Sequence, residues 1–124
     1  MKLEDLMPPL ELCKQIPAGE FADSALAWMV LPDGSLHPVF PIIARNATLP
    51  DDDLIPAPTL EEILREMAKY PHRFNNLTCD AYEEMDFGVT AFVPYRGKPG
   101  STLTEYRDGS GATAALKLWL EVSK

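Results

Sequence analysis

Residues 59–93 read TLEEILREMAKYPHRFNNLTCDAYEEMDFGVTAFV, and within them the hydrophobic period changes from that of a helix to that of a strand. Thr59-Leu60-Glu61-Glu62 has the form of a capping box. In that motif the Thr59 hydroxyl accepts from the Glu62 backbone N–H, and the Glu62 carboxylate reaches back to Thr59. Leu60, Ile63, Leu64 and Met67 then recur at helical spacing, forming one apolar stripe opposite Glu61, Glu62, Arg65, Glu66 and Lys69. Acids in the first turn suit the positive end of the helix dipole, and Pro71 closes the helix because the residue before a proline avoids the α region. Beyond Pro71 the period is two, with Leu77, Cys79 and Ala81 alternating with Thr78, Asp80 and Tyr82. After a turn at 83–86, Phe87, Val89, Ala91 and Val93 share one face of a second strand.

Downstream, residues 96–101 (Arg-Gly-Lys-Pro-Gly-Ser) form a flexible hairpin loop and 102–107 a Thr-rich third strand. Asp108-Gly109-Ser110-Gly111 ends it, and Ser110 or Thr113 can cap a final helix. Only Lys117, Glu121 and Lys124 make a polar stripe there, while Leu116, Leu118, Trp119, Leu120 and Val122 cover the rest. So wide an apolar face predicts deep burial against the sheet, with surplus surface available for a homodimer contact at Trp119.

Upstream, residues 25–31 are apolar on both alternating faces, as expected of a covered or central strand. Pro32-Asp33-Gly34-Ser35 turns the chain into a returning strand over 36–43, which Pro38 and Pro41 push to a sheet edge. Residues 44–58 have no sustained period and read as a long surface loop. A short helix over 9–15, started by proline, precedes all of this. The order is roughly (α)ββα-βββα: an α+β fold, mainly antiparallel sheet with two packed amphipathic helices, in a single domain over residues 1–124.

The 124 residues are 46% hydrophobic and 24% charged, ordinary values for a chain with a core. Eleven basic residues against nineteen acidic ones give a formal charge of −8. That balance argues against nucleic-acid binding, which draws its affinity from Lys and Arg displacing counterions. Two cysteines are too few for a disulfide framework, and a reducing, cytoplasmic setting is expected. Acids and prolines stand at the N-terminus where a signal peptide would be apolar, and no apolar run approaches the ~18 residues of a membrane span.

No motif for catalysis, metal or cofactor emerges. Cys13, His37, His72 and Cys79 stand apart, without the close ligand pairs of a zinc site. Asp51, Asp52 and Asp53 supply oxygens for a hard cation, but consecutive side chains diverge and no glycine-bearing calcium loop follows. Cys79 with His72 and Asp80 offers the residue types of a thiol nucleophile, yet Cys79 falls on an apolar strand face, where a cysteine is an inert small hydrophobe. Gly97-Lys98-Pro99-Gly100-Ser101 departs from a phosphate loop, since proline follows lysine and a strand follows the loop. With Arg96 and Arg107 nearby it is the locally basic spot of an acidic chain, suited to a small anion or a partner's carboxylate.

The segments Ile55-Pro56-Ala57-Pro58-Thr59-Leu60-Glu61-Glu62-Ile63-Leu64 and Ala114-Ala115-Leu116-Lys117-Leu118-Trp119-Leu120-Glu121 resemble stretches recurring in a family of small uncharacterised proteins of gut anaerobes and their phages or mobile elements. The resemblance implies a cytoplasmic accessory protein and brings no catalytic residues with it. Three functions are in view. The first is a non-enzymatic accessory or regulatory protein acting by protein–protein interaction, with Asp51, Asp52, Asp53, Arg96, Lys98 and Trp119 as its candidate surface. The second is a small ligand-binding domain or enzyme with a site near the 44–58 loop, and the third an acidic nucleic-acid mimic or anti-defence protein.

Overall fold

The capping box read at Thr59 is present in full. The Thr59 Oγ1 accepts from the Glu62 N–H at 3.3 Å, and the Glu62 Oε1 accepts from the Thr59 N–H at 2.9 Å. The structure, a computed structural model, describes residues 6–42, 54–83 and 86–123. Helix α1 spans Leu10–Cys13, α2 Leu60–Ala68 and α3 Gly111–Ser123. The strands are β1 (Ala27–Val30), β2 (Leu36–Val39), β3 (Leu54–Pro56), β4 (Asn75–Glu83), β5 (Asp86–Pro94) and β6 (Ser101–Asp108). They form two antiparallel sheets, in the orders β2-β1-β3 and β4-β5-β6, and the fold is α+β.

Two stretches depart from the sequence reading. The returning strand, expected over 36–43, ends at Val39, and residues 41–42 are helical, Pro41 suiting a helix start. Residues 54–56, expected within a surface loop, form β3 and pair with β1, Ala27 standing opposite Pro56. A three-residue strand is too short to show a period, and its partner lies far back in the chain, so only tertiary context creates it. The preceding turn follows its local chemistry: Gly34 adopts φ 87°, and Asp33 accepts from the Ser35 N–H at 2.9 Å. The proline-bearing β2 takes a sheet edge, where a missing N–H costs nothing.

Helix α3 is the centre of the molecule. It packs on β5, β6 and α2, and Ala114, Ala115, Leu116 and Leu118 are fully buried. Its N-terminus is capped by Ser110, whose Oγ accepts from the Thr113 N–H at 3.4 Å. At Gly111 an added Cβ would come within 2.8 Å of the Leu60 side chain, so glycine permits the close approach of α2 to α3. Ile63 and Met67 from the α2 stripe enter the same core, as do Val89 and Ala91 from β5.

The first sheet is tied to this core by polar anchors. The Glu62 carboxylate, already in the capping box, also accepts from the Ala25 N–H at 3.0 Å. The Ser24 hydroxyl is shared between that carboxylate at 3.1 Å and the Leu26 carbonyl at 2.9 Å. The Trp28 Nε1–H donates to the Pro8 carbonyl at 2.8 Å, holding α1 against β1. No helix among the described residues is long and apolar enough to cross a membrane.

Candidate binding groove

The β5–β6 hairpin turns through residues 95–100, where Gly97 and Gly100 adopt φ 74° and 103° and the Tyr95 N–H donates to the Gly100 carbonyl at 3.0 Å. These left-handed positions favour glycine. Lys98 at the tip folds back over the Tyr95 ring, its Nζ 4.6 Å from the centroid. Arg96 leaves the loop beside it.

A second arginine arrives from a different part of the chain. After α2 the backbone makes one more turn, with the Arg73 and Phe74 N–H groups donating to the Tyr70 carbonyl at 2.9 and 3.1 Å. Phe74 is buried, which fixes this turn against the core, and the Arg73 guanidinium lies over the Tyr70 ring at 5.2 Å.

Between these two arginines runs a groove of about 670 Å³, lined among others by Arg73, Arg96, Thr102, Thr104, Tyr106 and Glu121. The hairpin ends of β5 and β6 border it together with Glu121 and Val122 of the last turn of α3. In β6 the alternate residues 102, 104 and 106 face the same side. Among the described lining residues two guanidiniums and one carboxylate are present, with Lys98 over the lining Tyr95 ring, in a chain of net charge −8. Burial, and then the neighbouring Glu121 charge, push the Tyr106 phenol above its ordinary range against the opposing pull of Lys117. Tyr106 therefore stays protonated at neutral pH and presents an O–H donor. The groove offers N–H and O–H donors to an anionic group, and none of its named residues is a thiol or an imidazole.

The opposite face of the same sheet satisfies itself. The Tyr82 hydroxyl donates to Glu105 Oε2 at 2.7 Å, Thr90 reaches the same oxygen at 3.2 Å, and Arg107 pairs with Asp86 while lying 4.2 Å over the Tyr82 ring. The ring rests where Gly88 has no side chain, for a Cβ there would meet Tyr82 Cε2 at 2.5 Å.

The residues singled out from sequence separate into three groups. Arg96 lines the groove, and Lys98 lies over the ring of Tyr95, which also lines it; Asp51, Asp52 and Asp53 lie outside the described residues. Trp119 is corrected from a surface position to a core one. It is 5% exposed and meets Phe21 edge-on with ring centroids 5.0 Å apart, so the apolar face of α3 is covered from within the chain.

Cys13 is buried, and burial pushes its thiol up to about 12; Cys79 is half-buried and raised for the same reason. Such thiols are poor nucleophiles at neutral pH. His37 and His72 are exposed. Among the described residues no three His, Cys, Asp or Glu side chains converge as a metal-ligand group.

Sequence reading missed Arg73, Thr102, Thr104 and Tyr106 as groove residues. The only available signal was the alternation of 102, 104 and 106, which reads equally well as a plain strand face. No protein-family model, curated protein or solved structure matches the chain.

Proposed function

We propose that the protein is a non-enzymatic cytoplasmic accessory module that acts by binding a partner protein, and that the groove at the end of the second sheet receives an anionic group of that partner. The observation that carries this reading is the convergence of Arg73 and Arg96, from separate segments, on one groove floored by hydroxyl side chains. Guanidiniums bind carboxylates in planar, two-pronged geometry, and hydroxyls complete such sites. A local excess of positive charge in an acidic protein also directs which surface an acidic partner meets.

The test is affinity isolation from the native host with tagged wild type and the double variant Arg73→Glu, Arg96→Glu. A specific partner held by wild type, released by added salt and absent from the double variant supports the groove. A partner retained equally by the double variant counts against it. Replacing Asp51, Asp52 and Asp53 by Asn in parallel separates the groove from the acidic loop, and capture is expected to survive that change.

A further inference from the structure

Strand β6 lines the groove with one set of residues and turns its backbone outward with the other. Because the Tyr95 N–H donates to the Gly100 carbonyl, Tyr95 and Gly100 form a hydrogen-bonded pair, and such pairs alternate along an antiparallel ladder. The register then places Thr102, Thr104 and Tyr106 in bonded pairs with Val93, Ala91 and Val89. Ser101, Leu103, Glu105 and Arg107 direct their N–H and C=O groups away from β5. Among the described residues no strand pairs with that edge, and no backbone bond from outside the sheet reaches Leu103 or Glu105.

We infer that an extended segment of a partner protein, alternating acidic and apolar residues, adds to β6 as a fourth strand of the second sheet. The inference rests on the groove reading above and specifies its ligand. An added strand would point alternate side chains to the two faces of the sheet. On the groove side they border the cavity that Arg73, Arg96 and Glu121 line, where the two guanidiniums favour carboxylates; a guanidinium has five N–H donors and can hold a ligand oxygen alongside another partner.

On the other side they meet Leu103, which is 60% exposed and stands opposite Phe92. The charged groups of that face, Glu105 and Arg107, already engage Tyr82 and Asp86. Apolar side chains suit it. A second copy of the chain is a poor occupant, because its own β6 would offer threonines and a tyrosine where the arginines call for acids.

The experiment uses the isotope-labelled full chain and a capped synthetic peptide of Val-Glu repeats as long as β6, with Val-Lys repeats as control. Saturable amide shifts are expected around Arg73, Arg96, Thr102 and Thr104, with exchange at the Leu103 and Glu105 amides slowed about tenfold or more. The Val-Lys peptide is expected to do neither. Leu103→Pro removes an outward N–H that the β5–β6 ladder does not use and should weaken the Val-Glu peptide about tenfold beyond Leu103→Ala.

Shifts around the arginines without protection of Leu103 and Glu105 overturn strand addition while leaving the groove reading in place. No saturable shift at millimolar peptide overturns both. Protection of the same amides by self-association, without peptide, overturns the choice of occupant.

Discussion

The first sheet is built from strands of four, four and three residues, whereas the second has strands of nine, nine and eight. Short ladders contribute few backbone bonds and little continuous face, and the first sheet compensates with side-chain tethers: Glu62 to Ser24 and Ala25, and Trp28 to the Pro8 carbonyl. The second sheet carries side-chain ties too, Lys117 of α3 to Asp108 of β6 at 3.1 Å among them, but its inner face lies against the buried length of α3. It can therefore spend its polar side chains on a groove. The half with the longer ladders is the half with surface to spare for recognition.

Substitutions can break this contrast or sharpen it. Leu116→Ala, at a fully buried position in α3, should cost about 3 kcal/mol through lost burial and an unfilled cavity. Denaturant unfolding followed by tryptophan fluorescence reads it, and a loss below about 1 kcal/mol would remove α3 from the centre of the fold.

Glu62→Ala comes next, at about 2 kcal/mol, since it deletes the acceptor of the capping box and of the Ser24–Ala25 tether together. Amide exchange should accelerate in β1 while β5 stays protected. Equal acceleration in both sheets would mean that the tether is not local to the first.

Gly88→Ala is the mildest, costing less than about 1 kcal/mol, because the Tyr82 ring can swing away from the new methyl group. Its readout is spectroscopic. The Tyr82 phenol is raised above its ordinary value first by its hydrogen bond to Glu105 and then by partial burial. Loss of that bond should let Tyr82 ionise at lower pH in an ultraviolet titration. An unchanged titration would show that the ring does not depend on the glycine.

Where the sequence was legible, it was so through local chemistry. Thr59 and Glu62 sit three residues apart, and Asp33, Gly34 and Ser35 are consecutive, so their bonds are written in adjacent letters. The alternation in β5 told which residues face inward because one side is buried. Trp119 shows the limit: an apolar helix face announces that something covers it, not whether that is Phe21 or another molecule. β3 and the second role of Glu62 depend on partners distant in sequence, as does the meeting of Arg73 with Arg96. No local pattern encodes such meetings.

The pairing of β1 with β3 carries a kinetic consequence. Ala27 meets Pro56 only after the whole intervening segment has been looped back, whereas every neighbour in the second sheet is also the next strand in the chain. Closing a long loop costs entropy before its few contacts repay any of it, while consecutive hairpins close cheaply. The second sheet with α3 is thus expected to supply the folding nucleus, and the docking of β3 to fall on the late side of the barrier. In that order the surface read here as a binding site takes shape before the chain has finished folding.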